Sequence, residues 1–229
     1  MVEPAFKPKI TAIDRIQENL VARAERRALN FLCLQMPRPV TPDMLTAFGM
    51  VGALMVFAGS IGSNYDRDWL WLSVIGYCVH WFGDSLDGSL ARFRKIERPR
   101  YGYFLDHSCD GFATTLLVVG IGLTPFVQLE VALVALAGYL LMSIHAFLSV
   151  RVLGELRLSY LNAGPTELRL VLIALTLAMY FAGREAAVVF YLNPFDLFVG
   201  GVGVVLLALF VLQTARIAKR LAIEEPPRN

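Results

Sequence analysis

Six stretches of this chain are long and apolar enough to cross a lipid bilayer, at roughly 43–62, 69–91, 102–123, 127–150, 167–183 and 195–215. A bilayer core demands about 20 mostly apolar residues per helix, and every backbone N–H and C=O must find a partner inside it. That demand leaves a bundle of membrane helices as the expected fold. Composition agrees. Of 229 residues, 56% are hydrophobic and only 17% charged, against about 25% charged in a soluble domain. Mean hydropathy is +0.57. An ordinary water-soluble enzyme, a disordered chain and a collagen-like chain are excluded. A net charge of +2 is too small to argue for nucleic acid as a partner. Cys33, Cys78 and Cys109 show neither disulfide nor zinc spacing.

Charge placement orients the bundle. Lys7, Lys9, Arg15, Arg23, Arg26, Arg27 and Arg38 precede or open the first stretch, and Arg92 to Arg100 separate the second from the third. Arg151, Arg157 and Arg169 lie between the fourth and fifth, and Arg216, Lys219, Arg220 and Arg228 follow the sixth. In all, 19 of 21 basic residues share one side, leaving Arg67 and Arg184 on the other. Cytoplasmic loops carry the excess of Lys and Arg, so six spans with both termini cytoplasmic are expected, and an odd number would spoil the asymmetry. Residues 10–35 alternate apolar positions (Ile10, Ile13, Leu20, Ala24, Ala28, Phe31, Leu32) with charges at helical spacing. They are too charged to span. Such a helix lies in the membrane interface or packs as a soluble helix on a partner, and the span that follows at once favours the interface. No short apolar run with a small-residue cleavage site precedes the first span, so that span is expected to be retained. The expectation is a single all-α integral membrane domain over 1–229. It comprises a cytoplasmic arm and amphipathic interfacial helix (1–41), a six-helix bundle (42–215) and a cytoplasmic tail (216–229).

The second and third stretches are not plain lipid anchors. Asp84 and Asp87 stand three apart at the cytoplasmic end of one, and Asp106 and Asp110 four apart at the cytoplasmic start of the next. Residues at those spacings share a helix face. Two helices joined by a short loop pack side by side, so the pairs can converge. Four carboxylates at a membrane site are costly unless neutralised, and Arg92 alone cannot balance them. Hard divalent cations with oxygen ligands can, and two such ions clamping a phosphoryl group are a recurring solution for in-line displacement. Gly88, Ala91 and Gly102 flank the acids and let a second helix or a substrate approach closely. Arg92 offers a planar fork to a phosphate.

The pattern Asp84-x2-Asp87-Gly88-x2-Ala91-Arg92-x9-Gly102-x3-Asp106-x3-Asp110 resembles the signature of the CDP-alcohol phosphotransferases, and all eight defining positions match. The six spans and the preceding interfacial helix are similar to that family's architecture. The resemblance implies a membrane enzyme of phospholipid synthesis in a bacterial-type inner membrane, working at the cytoplasmic side. It implies two magnesium ions, replaceable by manganese, with Asp84, Asp87 and Asp106 mainly as ligands. It further implies that Asp110 is both ligand and general base. The donor would be a CDP-alcohol and the acceptor another alcohol. Phosphatidyl transfer from CDP-diacylglycerol is the leading form, and CDP-ethanolamine or CDP-choline with diacylglycerol the alternative. CMP leaves. A homodimer among membrane lipids is implied as well. Pro42-Asp43-Met44-Leu45-Thr46 resembles the family's nucleotide-contact segment, which assigns nucleotide or phosphate contacts to Asp43, Thr46, Gly88, Ala91, Arg92 and Gly102. Read alone, it is a proline turn with an N-cap residue.

Thr166-Glu167-Leu168-Arg169 opens the fifth stretch after Arg151 and Arg157. In the family this region borders the acceptor pocket, which makes Arg151, Glu167 and Arg169 acceptor candidates. Taken alone, it is a helix start with an acid in its first turn. His80 and His107 flank the aspartates as ligands, relays or supporting groups. Hard magnesium favours the last role. His145 is expected to hydrogen-bond a neighbouring helix. A divalent-cation transporter would place its acids near the bilayer midplane, often in repeated halves. Here the acids sit at helix ends and no repeat is evident. A structural membrane protein leaves the register of the two acidic pairs unexplained.

Overall fold

The computed structural model of the chain describes residues 20–153, 165–183 and 192–225. The start of the expected interfacial helix, 10–19, and Arg157 lie outside the described residues. Among the described residues the regular structure is helical: α1 (Leu20–Gln35), α2 (Pro42–Gly62), α3 (Leu70–Arg94), α4 (Pro99–Gly122), α5 (Leu129–Leu153), α6 (Pro165–Ala182) and α7 (Pro194–Glu224), with a 3-10 turn at Arg67–Trp69. The helices α2 to α7 fall on the six apolar stretches to within a few residues at most ends. The exception is the end of α7, which runs on through residues first assigned to the tail. Those residues favour helix, and Arg220 pairs with Glu224 one turn on at 2.7 Å. Pro226 and Pro227 follow.

Among the described residues, three helices, α2, α5 and α7, are long and apolar enough to cross a membrane by length and composition. At 25 and 24 residues, α3 and α4 match them in length but carry the aspartates. On α1, Leu29 and Cys33 are buried against the bundle, whereas Phe31 and Leu34 are exposed. The buried face is thus centred one residue beyond the Ala28, Phe31 and Leu32 stripe.

The most extensive helix contact is between α2 and α3. Glycines create it. A Cβ at Gly52 would lie 2.3 Å from the His80 backbone nitrogen, and one at Gly83 2.3 Å from that of Gly49. Ser73 Oγ donates to the Val56 carbonyl at 3.0 Å across the same seam. The atoms in the way are backbone and cannot step aside. Gly83→Ala is therefore expected to lower stability by about 1–3 kcal/mol, the usual scale for overpacking. Thermal unfolding in detergent would show it as a lower midpoint, and an unchanged midpoint would rule out so close a crossing.

Apolar clusters stack along the bundle. Leu29, Cys33, Leu45, Leu86 and Leu90 form the layer nearest the aspartates. Ala53, Val56, Tyr77, Ala113 and Leu117 form the middle. Leu70, Ile121, Phe126, Met179 and Phe195 belong to the far layer. There Asn193 and Asp196 cap α7 reciprocally, and Asp196 also accepts from the Gln128 N–H at 2.7 Å. Successive helices alternate in direction, so the starts of α2, α4 and α6 meet the ends of α3 and α5 at one end.

Candidate active site

Both acidic pairs lie at that shared end. Asp84 and Asp87 sit on the last turns of α3, with Asp87 only 8% exposed. Asp87 accepts from Thr46 Oγ1 of α2 at 2.6 Å and from the Gly88 N–H at 2.5 Å. Asp84 is ion-paired with Arg169 of α6, whose Nε also donates to His80 Nδ1 at 3.2 Å. Arg169 is itself buried. From α4, Asp110 brings its carboxyl within hydrogen-bonding reach of Asp84. His107 Nδ1 lies 3.7 Å from an oxygen of Asp106 and 3.7 Å from one of Asp110. Tyr103 and Phe147 hold the His107 ring, at centroid distances of 4.3 and 5.1 Å. Ligand atoms of Asp106, His107 and Asp110 all fall within 4.8 Å of one another.

The two glycines of the pattern do not serve helix packing. A Cβ at Gly102 would meet nothing within 4 Å, and one at Gly88 would first meet the Arg92 guanidinium at 3.3 Å. No neighbour within the fold requires Gly102 to be small. Close helix approach is the work of Gly52 of α2 and Gly83 of α3. Ala91 is half-buried and Arg92 exposed, donating to Ser89 Oγ at 3.3 Å.

The cap of α2 is Thr41, whose side chain accepts from the Met44 N–H at 3.2 Å. Asp43, in the first helical turn, instead pairs with Arg98 and accepts from the Tyr101 hydroxyl at 3.5 Å. Arg98 stacks over the Tyr101 ring at 4.0 Å. The hydrogen bond that Arg98 donates to Asp43 raises the Arg98 pKa further. Thr46, Gly49, Met50, His80, Asp84 and Cys109 line a narrow cavity of about 10 Å³ beside the acids. Arg151 is exposed on the last turn of α5, one turn beyond Phe147, and Glu167 is half-buried on the first turn of α6. His145 meets Thr214 of α7 at 3.2 Å, as expected.

Two residues escaped the sequence reading. Glu25 of α1 accepts from Trp81 Nε1 at 3.1 Å and from Thr166 Oγ1 at 2.5 Å, tying α1 to α3 and α6. Arg94 donates to backbone carbonyls of the α1–α2 connection. Neither carries a local signal of its partners.

Comparison with known proteins bears on this arrangement. The family model described as CDP-alcohol phosphatidyltransferase matches residues 39–215. Over 85 residues the chain is 34% identical to a phosphatidylinositol phosphate synthase of Cutibacterium acnes, covering 37% of this chain and 38% of that protein. Over 97 residues it is 30% identical to cholinephosphotransferase 1 of Danio rerio, covering 40% and 25%. Over 88 residues it is 32% identical to a ceramide phosphoethanolamine synthase of Drosophila melanogaster, covering 36% and 22%. The matched stretch thus spans well under half the length of these relatives. The family match covers most of the chain, including the whole aspartate cluster, and the chain belongs to the CDP-alcohol phosphatidyltransferase family.

Proposed function

We propose that this protein is a metal-dependent transferase of phospholipid synthesis. It would move a phospho-alcohol group from a CDP-alcohol to an acceptor hydroxyl and release CMP. The observation that carries this reading is the meeting of Asp84 with Asp110, with Asp87 and Asp106 in electrostatic reach of the same point. The donor set fits hard divalent cations, because carboxylate oxygens dominate it. Asp84, Asp87, Asp106 and Asp110 would hold magnesium or manganese, which supplies positive charge against the donor's pyrophosphate.

The chain's own groups do the rest. Thr46 and the Gly88 N–H fix the Asp87 carboxylate, and Arg169, itself bonded to His80, fixes Asp84. Asp110 takes the proton as the acceptor oxygen bonds to the phosphorus bearing the donor alcohol and the bond from that phosphorus to CMP breaks. Arg92, with the open faces of Gly88 and Gly102, receives the diphosphate, while Asp43 and Thr46 meet the nucleotide. Arg151 and Glu167 border the acceptor side with Arg169, which also pairs with Asp84. The leading donor is CDP-diacylglycerol. A CDP-aminoalcohol with diacylglycerol is the alternative, since the relatives include both a phosphatidylinositol phosphate synthase and a cholinephosphotransferase. Purified protein assayed for CMP release against a panel of both donor types and several acceptors tests this reading. Release with one pairing names the substrates, and no release with any pairing refutes it.

The same reading makes α2 to α7 six membrane spans, with the aspartate end and both termini cytoplasmic and α1 in the interface. Exposed Phe31 and Leu34 beside the charges of α1 support that placement. In a background free of native cysteines, Asn64→Cys and Glu97→Cys should label from opposite sides of the membrane. Labelling from the same side would make the span count wrong.

A further inference from the structure

Arg94 lies outside the aspartate pattern, yet its side chain is the more firmly held of the two arginines at the end of α3. Its Nη1 donates to the carbonyls of Val40 at 2.5 Å and Arg38 at 3.3 Å. Its Nη2 donates to those of Pro37 at 2.8 Å and Met36 at 3.1 Å. The four N–H groups on these two nitrogens meet four carbonyls.

The Pro37 carbonyl also accepts from the Val40 N–H at 3.2 Å, and the other three draw on Arg94. The last carbonyls of a helix and those just past it have no intrahelical partner. In this connection Pro37, Pro39 and Pro42 also lack an N–H. A planar fork can span several acceptors at once, whereas an ammonium presents a single nitrogen. The chain then turns away from α3 directly after Arg94. Lys95 adopts φ 58°, a left-handed conformation, and the Ile96 N–H returns to the Ala91 carbonyl at 3.0 Å. Apolar packing seats the same connection independently: Met36 and Val40 rest on the cluster that holds Leu86 and Leu90. Immediately beyond it come Thr41, which caps α2, then Asp43, paired with Arg98, and Thr46, which donates to Asp87.

We infer that Arg94 is a positioning residue for the CDP-alcohol donor: it clamps the carbonyls of residues 36–40 to the end of α3 and so sets where Asp43 and Thr46 meet the nucleotide. This rests on the function proposed above. Arg94 touches neither the donor nor the aspartates, so its removal should act on donor binding rather than on the chemical step.

The test compares Arg94→Lys, Arg94→Gln and, as a nearby charge control, Lys95→Gln in the full-length protein. CMP release is measured as donor is varied at saturating acceptor, and then the reverse. Hydrogen exchange is followed at Val40, Met44 and Leu45. For Arg94→Lys, donor KM should rise ~10-fold with kcat within ~3-fold, the pattern of lost binding rather than lost chemistry. Acceptor KM should hold, exchange at the three amides should quicken, and Lys95→Gln should resemble the wild type. The lysine variant keeps the charge, so the inference stays open to refutation even if Arg94→Gln fails to fold. A donor KM within ~2-fold of wild type in Arg94→Lys overturns the inference, as does a fall in kcat at constant KM. Unchanged exchange overturns the clamp itself. A wild-type protein that releases no CMP from any CDP-alcohol defeats the proposed function and this inference with it, whereas an active wild type with an unshifted variant defeats the inference alone.

Discussion

Asp110→Asn should cut turnover by ~100-fold or more, the scale for a lost general base. Donor binding should stay within about tenfold, or ~1.4 kcal/mol. The position supports this separation. Asp110 stands one helical turn beyond Asp106 and is 39% exposed at its side chain, so an incoming hydroxyl has access. It also faces Asp84. Asparagine preserves an oxygen for a cation but cannot accept the proton at neutral pH. Calorimetric binding of the donor, run beside CMP release, measures both quantities. If binding collapses with turnover, Asp110 is chiefly a ligand. His107, 3.7 Å away, becomes the next group to test as the base.

Asp84→Asn, Asp87→Asn and Asp106→Asn should each lose at least ~100-fold in CMP release, comparable to removing a stabiliser of developing charge elsewhere. Their effects on stability should differ. At Asp87 the two oxygens accept separately from Thr46 and from the Gly88 N–H, so an amide keeps only one of these bonds, but it strands no buried charge and folding should persist. At Asp84 the change leaves buried Arg169 without its carboxylate charge, although its bond to His80 remains. An unpaired buried charge is destabilising. The thermal midpoint of Asp84→Asn should therefore fall below that of the other two. Near-normal activity in any one of the three would remove that residue from the ligand set.

The helices and the acidic pairs were legible in the sequence because their signals are local. Apolar length marks a membrane helix, and three- and four-residue spacings mark a helix face. Partners far apart along the chain were less so. Arg169 could be read as a basic residue near an acceptor pocket, but nothing near it in sequence points to Asp84, 85 positions earlier. Glu25 meets Thr166 across 141 positions. Gly88 and Gly102 were visible as small, but only the structure separates them from Gly52 and Gly83, whose hydrogens face another backbone. Thr41 was passed over as the cap of α2 because Asp43, also a good capping residue, falls two positions later beside Pro42. The extra helical turns of α7 were obscured by charge, which ends an apolar stretch without ending a helix.

CMP release from a CDP-alcohol by the purified protein, measured in EDTA and again after excess magnesium, bears most directly on the central claim. Four carboxylates drawn toward one point should leave the enzyme inactive in chelator and active once magnesium or manganese is restored. Full turnover in chelator would contradict a metal-dependent transferase built on Asp84, Asp87, Asp106 and Asp110.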